Sequence, residues 1–372
     1  MNTQAFEKKF ALNDDIYLLN HSVGKMPVST QSVLTQQYLN PWQTSSGDPW
    51  PQWLEIIDHF RSSLAALFNA DADDFCPQTN ISGGLTKLLS ALPKRPGKDV
   101  LLYTENDFPS TGFVIQQAQA HGYHLRCVPS ELNPQDINVW SDHLTDDVAE
   151  VLIGHVHYNT SRRIPVEEIT LLCRQREIFS IVDIAQSAGI VPIDFTKWQA
   201  DAVLGSCVKW LCGGPGAAFL WVESSIAESL QPIDVGWFSH QSPFEFDIHR
   251  FEYHRGALRF WGGTPSVVPY CIAANSINTI NDIGIDKISV HNQKLTDYLA
   301  ENLDSHRLNT PAEKDLRGGT LVIKLENDRE QTILQRLTQN GVRFDNRALG
   351  IRLSPHIYNT MEEIQQVSEY LA

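Results

Sequence analysis

Three short apolar runs follow one another between residues 178 and 222, and they constrain the fold more than any other part of the chain. The first, 178–183, reads IFSIVD and ends in Asp183. The second, 202–206, ends in small polar residues just before Lys209. The third, 217–222, is entered through Gly213-Gly214-Pro215-Gly216. None of the three alternates apolar with polar residues. Runs of this kind are strands buried on both faces of a sheet. In open α/β sheets, sites form at the carboxyl ends of the strands. Asp183 stands at one such end and Lys209 just beyond the next. An acid and a lysine placed this way point to an imine-forming lysine and a partner for a cofactor's pyridinium nitrogen.

The chain has 372 residues, a length that suggests about two domains. Hydrophobic residues make up 42% and charged ones 20%, enough for a sizeable core. A net charge of −15 leaves no basic field for phosphates, so no nucleic-acid partner is expected. A small anionic substrate held by one or two local cations stays possible. The six cysteines are scattered, with neither a zinc pattern nor a disulfide framework. The N-terminal stretch lacks the apolar segment of a secretory signal. No apolar run approaches the roughly 18 residues of a membrane span, so no membrane partner is expected. The expectation is a reduced cytoplasmic protein.

Along the chain, a polar loop at His21-Ser22-Val23-Gly24 follows a short apolar run and offers His21 and Ser22 to a site. Helices are expected at 33–39 and 52–68. The second carries Trp53, Ile56, Ile57, Phe60, Leu64 and Leu67 as an amphipathic stripe. Ile81-Ser82-Gly83-Gly84 opens a helix over 85–92, where free N–H groups and the helix dipole suit an anion. A strand at 99–103 leads to Asn106-Asp107-Phe108-Pro109, whose Phe108 could stack on a planar ring or cap the core. A helix at 111–121 and strands at 125–128 and 151–156 come next, then a possible site lip at His157-Tyr158-Asn159. A crossover helix at 166–176 returns the chain to the opening stretch. An aromatic-rich segment runs from Gly236-Trp237 to Gly263-Thr264-Pro265. A long helical region, 266–303, precedes mixed α/β elements. These are a strand at 320–325, a helix at 333–340, a strand at 351–354 carrying Arg352, and a last helix at 361–370. A large domain is expected over 28–265, with 1–27 and 266–372 forming a smaller one.

Asp183-Ile184-Ala185-Gln186, Lys209 and the Gly213–216 turn with Phe219-Leu220-Trp221 closely resemble the class V aminotransferase superfamily of pyridoxal-phosphate enzymes, fold type I. Within it the likeness is to kynureninases. It rests on Asn106-Asp107-Phe108-Pro109, the Gly236-to-Phe244 run, Gly263-Thr264-Pro265, and Arg352 ahead of Tyr358-Asn359. The resemblance implies a mostly parallel seven-stranded sheet with helices on both faces, a smaller C-terminal α/β domain, and pyridoxal 5′-phosphate as cofactor. Lys209 then forms the imine and shuttles protons, and Asp183 keeps the pyridine nitrogen protonated. Gln186 reaches the phenolic oxygen and Phe108 stacks on the ring. Ile81, Ser82, Gly83 and Ser206 hold the phosphate. Trp237 and Thr264 reach the neighbouring subunit's phosphate, which implies a homodimer with shared active sites. Arg352 grips a substrate carboxylate, and His21, Ser22, His157, Tyr158 and Trp237 wall the substrate.

The chain also differs from these relatives. Kynureninases carry His at the place of Gln186, Tyr at that of Val208 and Asn at that of His21. Desulfurases carry a catalytic Cys before the last-strand arginine, where this chain reads FDNRALG. The expected reaction is transamination of an amino acid. Kynureninase-like hydrolytic or eliminative side-chain cleavage is the alternative, and a non-catalytic binding protein on the same scaffold is a third reading.

Overall fold

The computed structural model describes residues 4–304, 307–326 and 328–372. Its centre is a seven-stranded sheet. In chain order the strands are β1 Phe75–Gln78, β2 Val100–Thr104, β3 His124–Val128, β4 Val148–Gly154, β5 Phe179–Asp183, β6 Ala202–Ser206 and β7 Ala218–Val222. Their spatial order is β1-β7-β6-β5-β4-β2-β3. From β6 to β3 every neighbouring pair is parallel, whereas β7 runs antiparallel to both β6 and β1. The reason for the reversal is connection length. Parallel neighbours need a crossover of a dozen or more residues, and the link between Ser206 and Ala218 is too short for a crossover helix. All five residues of β7 and the first four of β6 are buried, which explains their unalternating sequence.

The expected helices appear as α1 Trp50–Phe68, α2 Ile81–Ala91, α3 Pro109–Ala118 and α4 Val166–Gln175. The α1 stripe buries Ile56, Ile57, Phe60, Leu64 and Leu67, with Trp53 half-buried. The region expected as one long helix over 266–303 is two, α5 Val268–Ile283 and α6 Ile285–Glu301. Gly284 separates them at φ 93°, a left-handed value that ends the helical path. Strand β1 was not expected, because Pro77 interrupts its apolar run. Proline is tolerated there because β1 is an edge strand, with β7 as its only neighbour among the described residues.

A second, three-stranded sheet holds β8 Leu321–Ile323, β9 Asp345–Arg347 and β10 Gly350–Leu353 in the antiparallel order β9-β10-β8. It is covered by α7 Glu330–Gln339 and α8 Met361–Leu371. The N-terminal segment returns to it. Ile16–Tyr17 pairs with Val342–Arg343, and Ile16 and Leu18 bury among Leu321, Ile351 and Leu353. Helix α5 packs Tyr270, Ala273 and Ile277 into the core of the large sheet, and α6 sends Leu295 and Leu299 into the smaller core. The smaller sheet reaches the loops that follow β4 and β6: Arg352 donates to the Tyr158 carbonyl at 2.9 Å, and His356 Nε2 lies 3.1 Å from the Trp210 carbonyl. No helix among the described residues is long and apolar enough to cross a membrane.

Candidate active site

Asp183 closes β5 opposite Leu204 of the adjacent strand β6, which ends two residues further on at Ser206. The chain turns sharply after Asp183. The Ala185 N–H donates to Asp183 Oδ1 at 2.8 Å, and the His155 N–H donates to the Asp183 carbonyl at 2.9 Å. Burial pushes the Asp183 carboxyl up, against the pull of the Ala185 N–H and the Lys209 charge. Burial pushes Lys209 down to about 8, with the Arg352 charge adding to the effect and Asp183 opposing it. Among the described residues, the Lys209 amine has no hydrogen bond or ion pair. Its Nζ lies 5.4 Å from the centre of the Phe108 ring.

The loop carrying Lys209 is held by the N-terminal segment. The Gly24 N–H donates to the Val208 carbonyl at 2.9 Å. A Cβ on Gly24 would meet the Lys209 carbonyl oxygen at 2.3 Å and Cys212 Sγ at 2.5 Å, so only glycine permits this approach.

Two adjoining cavities meet at Lys209. The inner one holds about 200 Å³ and is lined by Asp183, Ser206, Phe108, His157, Ile81 and Ser82 among others. The outer one holds about 640 Å³ and is lined by His21, Ser22, Arg347 and Arg352 among others. Phe108, Tyr158, Gln186 and Lys209 face both. Phe108 sits at the cap of α3, with Pro109 in the first helical position, and meets Tyr158 edge-to-face at 5.2 Å.

The expected phosphate cradle has a detail the sequence reading missed. Asn80 caps α2, its Oδ1 accepting from the Gly83 N–H at 2.7 Å and the Ser82 hydroxyl at 2.8 Å. The Gly83 N–H is therefore taken, and Gly83 faces a separate cavity. The N–H groups of Ile81 and Ser82 belong to the first turn and have no intrahelical acceptor.

Gln186 is engaged at both ends of its amide. Its Nε2 donates to the His21 carbonyl at 3.1 Å, and its Oε1 accepts from the Trp210 indole at 3.2 Å. His21 is buried, with Nδ1 2.6 Å from Ser354 Oγ and Nε2 3.5 Å from an Asp345 oxygen. Burial pushes its ring down to about 3, helped by the Arg352 charge, so it is neutral. Arg352 donates to the Tyr158 carbonyl at 2.9 Å and to Asp345, which the sequence reading passed over. Burial raises the Asp345 carboxyl, but the hydrogen bonds from Arg352 and Arg347 outweigh it and hold the group below its usual range.

Trp237 and Thr264 stand apart from this constellation. The Trp237 indole donates to the Thr264 hydroxyl at 3.3 Å, and Thr264 lines the same separate cavity as Gly83.

A family model described as Aminotransferase class-V matches residues 16–367. The chain belongs to that family. Among its curated relatives is the uncharacterized aminotransferase YcbU of Bacillus subtilis, 29% identical over 88% of this chain and 86% of that one. A kynureninase of Deinococcus radiodurans is 30% identical over 76% of this chain and 70% of its own. The solved structure of an apo cysteine desulfurase from Thermococcus onnurineus superposes with a TM-score of 0.87 at 19% identity, covering 98% of this chain and 96% of that chain. That likeness bears on the fold alone. It bears out fold type I, as the family match bears out the resemblance read from Asp183, Lys209 and the glycine turn.

Pyridoxal 5′-phosphate is the cofactor of the family, and the inner cavity fits it. Lys209 offers an unpaired amine, and Asp183 a carboxylate with acceptor capacity to spare. Among the described residues, both ring nitrogens of buried His157 lack a partner, the signature of a polar group that expects a ligand. Burial pushes His157 down to about 4, so it meets that ligand uncharged.

Proposed function

We propose that this protein transaminates an amino acid at Lys209. The observation that carries the reading is the unpaired Lys209 amine at the junction of two cavities, one ending at Asp183 and the other at Arg352. When bound, pyridoxal phosphate supplies a carbonyl that condenses with amines and a ring that accepts the electrons released at the substrate's Cα. In the inner cavity, Asp183 would hold a proton at the pyridine nitrogen, and Phe108 would supply an aromatic wall beside the ring. Ile81, Ser82 and Ser206 offer N–H and hydroxyl donors to the phosphate. In the outer cavity, the Arg352 guanidinium grips the α-carboxylate, with His21, Ser22 and Tyr158 as walls. Lys209 Nζ then lies between them and moves the proton to and from Cα. An amine with a pKa near 8 suits that task, because it exchanges protons readily near neutral pH.

Side-chain cleavage of the kynureninase kind is the second reading. The size of the outer cavity favours it, since about 640 Å³ admits a side chain much larger than that of alanine. We also infer a homodimer with shared sites, in which Trp237 and Thr264 serve the partner's phosphate. A reducing, cytoplasmic setting accords with six free cysteines.

The holoenzyme is mixed with a panel of amino acids, kynurenines included, and cofactor spectra and product masses are followed. Pyridoxamine phosphate with a 2-oxo acid supports transamination, and a released side-chain fragment supports cleavage. Lys209→Ala should lose both the near-visible cofactor band and turnover. A wild-type protein that shows no such band after cofactor addition would refute the reading.

A further inference from the structure

The register of the small sheet places an acid on the carboxylate grip. Asp345 lies directly opposite Arg352 in the β9–β10 pairing, and Arg347 is two residues on from Asp345. The period-2 alternation of a strand therefore sets Asp345, Arg347 and Arg352 on one face. The structure shows them converging. A single oxygen of Asp345, Oδ2, meets Arg352 Nη2, Arg347 Nε at 3.1 Å and His21 Nε2 at 3.5 Å. The Arg352 side chain is only 8% exposed, against 69% for Arg347. Arg352 spends Nη1 on the Tyr158 carbonyl, and its buried Nε has no partner among the described residues.

A carboxylate thus already sits where a substrate's carboxylate would be gripped. The charge balance of the cluster is uneven, because two guanidiniums face one carboxylate and His21 is neutral. One further carboxylate closes the balance.

We propose that Asp345 is a specificity-determining residue, a displaceable counter-ion that occupies Arg352 in the free site and yields it to the carboxylate of the substrate. This rests on the reading of Arg352 as the carboxylate grip. On binding, Asp345 keeps its bond to exposed Arg347, and the incoming carboxylate takes Nη2 and the spare Nε as a two-pronged contact. The exchange conserves the number of ion pairs and neutralises the surplus charge. It also lowers the affinity for any carboxylate by the free energy of the bond it breaks. A substrate bearing a single carboxylate satisfies the cluster. A second carboxylate placed beside the first finds no further cation on this face.

The test is equilibrium binding of propanoate to the holoenzyme, read by proton NMR titration, in the wild type, Asp345→Asn, Asp345→Glu and Arg352→Gln. Asp345→Asn should tighten propanoate by roughly threefold to tenfold, since the resident competitor is gone. It should also lower KM for a turned-over amino acid with kcat little changed. Asp345→Glu should restore weak binding. Unchanged or weaker propanoate binding in Asp345→Asn overturns the proposal and makes Asp345 a strut that orients Arg352. Arg352→Gln separates the two readings. Loss of propanoate binding there supports Arg352 as the grip whatever Asp345 does. Retained binding overturns that assignment, and the role of Asp345 with it.

Discussion

Lys209 carries a pH signature of its own. Burial pushes its amine from 10.5 down to about 8, against the opposing charge of Asp183 and with a smaller push from the like charge of Arg352. Below that value the group is an ammonium with no lone pair for a carbonyl, and above it the free amine predominates. The rate at which the apo protein captures pyridoxal phosphate should therefore rise with pH through about 8 and level off above it. Arg352→Gln removes a like charge, so its midpoint should move up, and Asp183→Asn removes an opposite charge, so its midpoint should move down. Stopped-flow absorbance across pH 6 to 11 checks this, and a wild-type midpoint near the ordinary lysine value counts against burial as the cause. At this scale much of the site was legible. Asp183, Ser206 and Lys209 fall at or just past strand ends, and strand ends can be read from apolar runs. Asp345 and Arg347 were not legible, because their meeting with Arg352 depends on a hairpin register that residues 344–350 do not advertise. Gln186 was legible as a polar residue near the acid. Its saturation by Trp210 and the His21 carbonyl depends on distant backbone.

Among elements, the loop from Ser206 to Ala218 is the one that the site cannot do without. It has no helix or strand of its own to stiffen it, so its shape is borrowed from neighbours. Gly24 supplies one hold, and Gly189, at φ 94°, packs within 2.8 Å of the Trp210 backbone when given a Cβ. Gly24→Ala should thus force the two segments apart. The added methyl cannot share space with a backbone carbonyl, so the cost should be about 1–3 kcal/mol in stability, with a larger relative loss of turnover as Lys209 moves. Thermal unfolding and kcat measured together check the pairing, and a stable variant with full turnover would show that the loop holds itself. The strands of the parallel layer were readable because burial on both faces leaves no polar positions. Strand β1 was hidden by Pro77, and the division of 266–303 into two helices turned on the single residue Gly284, since apolar periodicity continues on either side of it.

At the scale of the whole molecule, the segment after the sheet exposes large apolar side chains. Ile233, Phe246 and Ile248 are 75%, 71% and 91% exposed, and Phe246 stacks on Trp237, which in turn bonds Thr264. Large apolar side chains exposed along one segment accord with the contact surface proposed for the dimer. The surface also carries the two residues that stand away from Lys209. A two-fold partner seated on this segment would explain both facts together, because residues useless to their own site could complete another. In solution the protein should then have about twice the chain mass of 41.9 kDa by sedimentation. Replacing Phe246 and Ile248 together with aspartate should shift it to the monomer mass, since desolvating a carboxylate at an apolar contact opposes association. The same variant should release its cofactor more readily if Trp237 and Thr264 serve the partner's phosphate. A wild type that sediments as a monomer counts against the dimer. A monomeric variant that keeps its cofactor as tightly as the wild type leaves the dimer standing but removes the sharing of sites, and Trp237 and Thr264 would then be packing residues of the interface alone.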